Sequence, residues 1–424
     1  MYQHENGLFT SDFLEKIRDK FLYADWDPYT GQRIYFEASG GSLRLKSVLD
    51  TMARETALPD ELFRYNPASD HTVEVMNKGI EDVKLFVGAK NGYIISTNSA
   101  THAMARVIEA ITAHIPGKNI VTTQLEHPAV LSSTKYFAEL RGLEWRVAPI
   151  DKESSSVPPE AILERIDQDT CLLAFQHASN QTGIINDVKY IVQEARRIKP
   201  DLHVLVDAVQ YAPHGHIDVE DLDVDAYAFG PYKAYCVKGI GFSYISERVA
   251  KLPHLKLIGK PETDWVLGSP APQPFACWSA VIDYLCWLGS HFTSSSDRRD
   301  QIVAAKKAIT KHMQALLHQI LYGNDGVPGL NDLDHVTVCG MKGGLEQRLC
   351  IFLFQLAGMN ATEAMNRYNQ EFHIRLAARV RDSYSTVPLE GLGWSDAVRL
   401  SAAHYNTPEE VVAFLEATAA LKAK

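Results

Sequence analysis

The chain has 424 residues, 46% of them apolar, with a formal net charge of −10 and a pI of about 5.9. That length supplies a large core divided between two domains, and the acidic balance argues against a nucleic-acid surface, which would be basic. No apolar run approaches the ~18 residues of a membrane span, and the polar opening Met1-Tyr2-Gln3-His4-Glu5-Asn6-Gly7 lacks the basic and apolar regions of a signal peptide. The six cysteines form no C-x-x-C pair, and Cys171, Cys339 and Cys350 lie in apolar, strand-like runs. Buried free thiols and a reducing, cytoplasmic setting are expected.

Taken in chain order, residues 1–30 read as an amphipathic arm, with Phe13, Ile17 and Phe21 on one helical face. From residue 31 to 290 short apolar strands alternate with helical stretches. Tyr93-Ile94-Ile95-Ser96-Thr97, Ile120-Val121-Thr122-Thr123, Leu172-Leu173-Ala174-Phe175, Val204-Leu205-Val206 and Ala226-Tyr227-Ala228-Phe229 read as buried strands. Helical patterns over 103–111 and 191–198 separate the earlier ones. This is an α/β pattern with crossover connections and a mainly parallel sheet, whose ligands bind beyond the strands' carboxyl ends. Near Ser290 the texture changes. Thr293-Ser294-Ser295-Ser296-Asp297 reads as a cap before a helix over 298–321. Strands around 336–339 and 349–353, a helix from Thr362, a strand at Val398-Arg399-Leu400 and a helix near Thr407 follow. Residues 291–424 are expected to form a smaller α+β domain, against which the arm can pack.

The residues that carry chemistry fall just after the expected strands. Val204-Leu205-Val206 runs into Asp207, and Lys233 follows 26 residues on, inside Phe229-Gly230-Pro231-Tyr232-Lys233. An apolar strand ending in Asp, followed by a Lys in a Gly-flanked turn, is how a protein holds pyridoxal 5′-phosphate. The lysine forms a Schiff base and the carboxylate keeps the pyridine nitrogen protonated. Lys238, directly before Gly239, is the competing amine. Asn98-Ser99-Ala100-Thr101 opens a helix, where free backbone N–H groups and the Thr101 hydroxyl would cradle a phosphate; an ordinary N-cap is the alternative. His127 in Leu125-Glu126-His127-Pro128 is placed to stack on the pyridine ring, or is simply a loop histidine. Asn180 and Gln210 are candidates to reach the cofactor's phenolic oxygen, with a polar turn ended by Gly183 as the other account of Asn180. Arg399, in an apolar strand, calls for a bidentate carboxylate, from substrate or from an internal ion pair. His214-Gly215-His216 offers two ligands, too few for a closed metal site, so no metal is assigned.

Together these motifs resemble the class V aminotransferase family of fold-type-I pyridoxal-phosphate enzymes, in the branch of cysteine desulfurases, selenocysteine lyases and isopenicillin N epimerase-like proteins. The resemblance runs from Ile34-Tyr35-Phe36 to His404-Tyr405-Asn406-Thr407-Pro408-Glu409-Glu410, and is most specific at Asp207-Ala208-Val209-Gln210-Tyr211-Ala212-Pro213-His214. It implies a large domain with a parallel sheet covered on both faces and a smaller C-terminal domain. It implies Lys233 as the Schiff-base lysine, Asp207 as the pyridine partner, His127 as the ring-stacking residue and Asn180 and Gln210 as phenolic-oxygen contacts. It further implies Ala100 and Thr101 as phosphate loop and Arg399 as the substrate-carboxylate arginine. Gly268-Ser269 is similar to a pair that reaches the phosphate from the other subunit, which implies a homodimer with shared active sites.

The departures are specific. Gly230-Pro231-Tyr232-Lys233 stands where the family has Ser-x-His-Lys, so two phosphate ligands are lost and the Tyr232 hydroxyl is the candidate replacement. Ser99 stands where Gly is usual and His102 where Glu is usual. No cysteine occurs between Cys350 and the C-terminus, whereas desulfurases carry their persulfide-forming cysteine after the strand that 374–384 resembles. Arg379 or Arg381 is a candidate contact to an acidic substrate, with solvated surface arginines as the alternative. The reading is an enzyme acting on an amino acid, first a C–S or other β-lyase without a catalytic cysteine. Next come an aminotransferase and then a racemase or epimerase, with a pyridoxal-phosphate-binding regulatory protein as the non-enzymatic alternative.

Overall fold

The computed structural model describes residues 2–59, 61–324, 326–340 and 344–421. In the arm, helix α1 (Ser11–Arg18) buries Phe13, Leu14 and Ile17 on one face. Phe21 lies beyond the helix end, bridged to Leu45 and packed on Tyr405. The apolar stripe is therefore real, but a turn and not the helix delivers its last member. Helices α2 (Lys46–Thr56) and α3 (Pro67–Val87) follow.

The next seven strands make one sheet. They are β1 (Tyr93–Thr97), β2 (Asn119–Thr123), β3 (Glu144–Ala148), β4 (Thr170–Gln176), β5 (His203–Asp207), β6 (Ala226–Phe229) and β7 (Gly241–Ile245), ordered β1-β7-β6-β5-β4-β2-β3. Strands β2 to β6 pair parallel, whereas β7 runs antiparallel to both β1 and β6. Every residue of β2, β4, β5, β6 and β7 is buried, as in strands covered on both faces. Period-two alternation splits them between two cores: Leu172 and Ala174 of β4 enter one, Leu173 and Phe175 the other. Helices α4 (Ala100–His114) and α5 (Pro128–Arg141) pack together over one core. Helix α6 (Val188–Ile198) buries Val188, Ile191, Val192 and Ala195 in the other, and α7 (Gln273–Gly289) joins it with α2 and α3.

Helix α8 (Arg298–Tyr322) starts at the expected cap, where the Asp297 side chain accepts from Asp300 N. The change of texture near Ser290 falls between α7 and α8. Beyond it, β8 (Val336–Val338), β9 (Ile351–Leu356), β10 (Ala377–Arg379) and β11 (Ala397–Ser401) form an antiparallel sheet ordered β8-β9-β11-β10. Helices α9 (Ala361–Phe372) and α10 (Pro408–Ala420) accompany it, the latter opened by a capping box between Thr407 and Glu410. Strands β3 and β7 fall on stretches with no strand assigned from sequence. β3 is an edge strand carrying Glu144 and Arg146, and β7 mixes Gly241 and Ser243 among its apolar residues. Among the described residues no helix is long and apolar enough to cross a membrane.

Candidate active site

Because β2 to β6 run parallel, their carboxyl ends share one edge, and the loops beyond them enclose a cavity of about 290 Å³, near the lower end of the ~300–1,000 Å³ usual for small-molecule sites. Ser99, Ala100, Thr101, His127, Asn180, Asp207, Gln210, Tyr232, Lys233 and Arg399 all line it. Ser269 does not: it lies on an exposed loop where Gly268 has φ +82°.

Ser99 caps α4 by accepting from His102 N at 3.2 Å. The chain passes very close behind this turn, since a Cβ added to Gly241 of β7 would lie 2.0 Å from Ala100 N. His102 itself is exposed, its Nδ1 3.0 Å from Asn98 Oδ1.

His127 caps α5, its Nδ1 accepting from Ala129 N at 3.1 Å. Burial first, then the charges of Lys233, Arg379 and Arg399, lower its pKa to about 4. The ring is neutral at pH 7 and its proton sits on Nε2.

Asp207 ends β5 and is almost fully buried; its Oδ1 accepts from Val209 N at 2.9 Å. Burial outweighs that bond and the nearby Lys233, lifting the carboxyl to about 6. Lys233 closes a short 3-10 turn, Pro231–Lys233. Its Nζ donates to Ser39 O, which also accepts from Gln210 Nε2 at 3.0 Å. Burial, then Arg399 and Arg379, bring its pKa down to about 7. Lys238 is exposed and outside the cavity. Tyr232 borders the cavity with its ring 5.0 Å from Lys233 Nζ.

The small sheet contributes Arg399, 1% exposed on β11. Its Nη1 donates to Asn180 O at 3.0 Å, while its Nε and Nη2 have no partner among the described residues. Burial lowers its pKa to about 9, with neighbouring Arg379 adding to the effect. Arg379 also lines the cavity; Arg381 is exposed, 3.9 Å from Glu390. His214 is buried against the Lys306 side, and among the described residues no group of three or more His, Cys, Asp or Glu is placed to hold a metal ion.

The sequence reading missed Ser39, Gly40 and Tyr384, which also line the cavity. Ser39 acts through its carbonyl, which leaves no side-chain signature; the small run Ser39-Gly40-Gly41 was the available hint. It also passed over Glu126, whose carboxyl is buried beside His127 and pushed up to about 8, with Oε1 accepting from Thr123 Oγ1 at 2.7 Å and Oε2 without a hydrogen-bond partner among the described residues.

The aminotransferase class-V family model matches residues 34–273, more than half of the chain. The chain belongs to the class-V aminotransferase family. It is a pyridoxal-phosphate-dependent enzyme, and its cofactor is pyridoxal 5′-phosphate. The class-V chain is 31% identical over 187 residues to the cysteine desulfurase IscS of Dictyoglomus turgidum, covering 42% of this chain and 46% of that protein. A cysteine desulfurase of Pectobacterium carotovorum matches at 29% over 54% of this chain and 57% of its own length; the chain thus spans about half the length of these relatives. The aminotransferase-like protein FGM3 of Gibberella zeae is 26% identical, covering 94% of this chain and 96% of that one. In fold, the apo cysteine desulfurase of Thermococcus onnurineus superposes with a TM-score of 0.80 at 22% identity, over 96% of this chain and 97% of that one. The fold of that protein is thus present over nearly the whole chain.

Proposed function

We propose that the chain cleaves a C–S or other β-bond of an amino acid, without a catalytic cysteine of its own. The carrying observation is the enclosure of Lys233, Asp207 and Arg399 in one cavity beyond the parallel strands. The residues fit the cofactor. A buried Asp207 carboxyl with one backbone partner is completed by a cationic ring nitrogen, and the Lys233 amine, half neutral near pH 7, suits an aldehyde. The first turn of α4 at Ser99, Ala100 and Thr101, with the Tyr232 hydroxyl, would hold the phosphate. His127 would lie against the ring, and Asn180 and Gln210 would reach the phenolic oxygen. When bound, the cofactor supplies an electron sink for charge developing at the substrate Cα. Lys233 Nζ, once free, takes the Cα proton, a contribution typically of ~10²–10⁴-fold. Arg399 holds the substrate α-carboxylate and so sets which bond at Cα stands across the ring.

Aminotransfer is the second reading, favoured by the near-full-length match to FGM3. We further propose a homodimer in which Ser269 of the partner subunit completes each phosphate site. The loop bearing Ser269 also exposes Leu255, Ile258 and Leu267, apolar surface that a second copy would cover. A cytoplasmic location, consistent with six free cysteines, belongs to the same proposal.

Borohydride reduction of the loaded chain followed by peptide mass analysis should place the cofactor on Lys233, and Lys233→Ala should abolish the adduct. An adduct on Lys238 would refute the assignment. Product assays for sulfide, ammonia and keto acid across amino acids then separate lyase from aminotransferase.

A further inference from the structure

Tyr235 stands two residues beyond Lys233 with φ at +68°, a backbone conformation that bulky side chains rarely adopt. Among the described residues, the other tyrosines and phenylalanines at positive φ, Tyr23, Phe63 and Tyr65, are exposed, whereas Tyr235 is fully buried. Such strain persists only where surrounding contacts over-determine it, and it concentrates at functional sites. Here the contacts come from two sides. Segment 42–45 fastens one: Tyr235 N donates to Ser42 Oγ at 2.9 Å, Leu45 N donates to Tyr235 O at 3.3 Å, and Arg44 Nη1 donates to Tyr232 O at 2.9 Å. On the other side the Tyr235 hydroxyl donates to Pro213 O at 2.9 Å. That carbonyl also accepts from Lys306 Nζ at 2.9 Å, and the same Nζ donates to Ala212 O at 2.7 Å. Lys306 lies on α8 and is 1% exposed. Ala212 N donates to Ala208 O at 2.8 Å, so the anchored loop is the one that leaves Asp207. Lys233 thus lines the cavity while Tyr235 packs in the core against Phe21 and His404. A single carbonyl joins the end of β5, the Lys233 turn and α8.

We infer that Tyr235 is a positioning residue: through Pro213 O its hydroxyl fixes the Lys233 turn against the end of β5 and so sets where the amine meets the cofactor's aldehyde. The inference rests on Lys233 as the cofactor lysine. A phenylalanine at 235 would fill the same space and leave the strained turn without that tether.

The full-length chain, stripped of cofactor and mixed with pyridoxal 5′-phosphate, reports the place of the amine without a substrate. Tyr235→Phe should slow capture by about tenfold to a hundredfold, the scale of a misplacement near one ångström. The pH midpoint of capture should also move up from about 7 toward the ordinary 10.5, because a relaxed turn lets Nζ out of its desolvated position. The groups around Lys233 are unchanged in this variant: Arg399 and Arg379 of the small sheet, Glu37, Asp207 and His127 from other segments, and Tyr232 and Lys238 beside it in the chain. The midpoint therefore reads position. Tyr284→Phe is the control. It removes a buried hydroxyl from the same aromatic cluster, one bonded to His404 and not to Pro213, and should leave rate and midpoint native. Lys306→Met, which takes the second donor from Pro213 O, should shift both in the direction of Tyr235→Phe. A native rate and midpoint in folded Tyr235→Phe overturns the inference, as do equal losses in Tyr235→Phe and Tyr284→Phe. If Tyr235→Phe does not fold, a native rate and midpoint in Lys306→Met overturns it instead. A borohydride adduct on another lysine of the native chain would remove the premise about Lys233; an adduct on Lys233 with indifferent variants removes the tether alone.

Discussion

At the scale of single residues, the site depends on charges held away from their ordinary states. Lys233 is the clearest case: burial outweighs every attraction and brings its pKa from 10.5 to about 7. Deprotonation yields the nucleophile, so capture of pyridoxal phosphate by the apo chain should accelerate as pH rises through about 7. A stopped-flow profile with its midpoint near 10 would show that the amine is not desolvated as described. Asp207, lifted to about 6 by burial, should fall once a ring nitrogen pairs with it. The Asp207→Asn chain should therefore lose activity far more than it loses cofactor, measured as turnover against absorbance. Lys233 and Asp207 were legible because each closes a local pattern: an apolar strand with a terminal acid, and a lysine in a Gly-Pro turn. Ser39 was not, because its contribution is a backbone carbonyl that any residue owns.

At the scale of elements, close approach between β7 and α4 shapes the phosphate end. No side chain fits between them, and the Gly241→Ala methyl would meet Ala100 N at 2.0 Å and Ser99 C at 2.1 Å. Gly241→Ala should displace the first turn of α4, destabilise the chain by about 1–3 kcal/mol and weaken cofactor retention in equilibrium dialysis. Unchanged retention would mean that this turn does not hold the phosphate. The buried strands β2, β4, β5 and β6 could be read from their apolar runs, since burial on both faces removes polar interruptions. β7 could not, because glycine and serine at its packed positions answer to neighbours distant in sequence.

At the scale of the whole molecule, the loop after β4 is held between the two sheets. Arg348 is buried and donates to Thr182 O at 3.1 Å, to Gly340 O at 2.7 Å and to Cys339 O. Leu349 N donates to Gly183 O at 2.8 Å, and Gly183, at φ +73°, leaves no room for a Cβ, which would fall 1.9 Å from Ile351 O. This seam keeps Asn180, on the loop after β4, beside Arg399 of the small sheet. Arg348→Ala should cost on the order of 3 kcal/mol by stranding buried carbonyls, read as a lower denaturation midpoint. It should also raise the KM for the amino acid more than it lowers cofactor retention. We propose the domain division near residue 290, between α7 and α8, and the dimer described above. Ile258→Asp should shift the mass in light scattering from dimer to monomer if that loop is the interface, and leave it unchanged if not.

What the amino-acid order determined alone was local: which stretches pair as buried strands, where helices are capped, and which acid and which amine sit at strand ends. These follow from periodicity and from the chemistry of near neighbours along the chain. Only the tertiary structure decided that Arg379, and not Arg381, shares a face with Arg399. It also decided that the Ser39 carbonyl lies against Lys233 and that Lys238 stays outside. Those outcomes turn on where β10 ends, at Arg379, on the strand register that puts Arg379 on the face of Arg399, and on burial between distant segments.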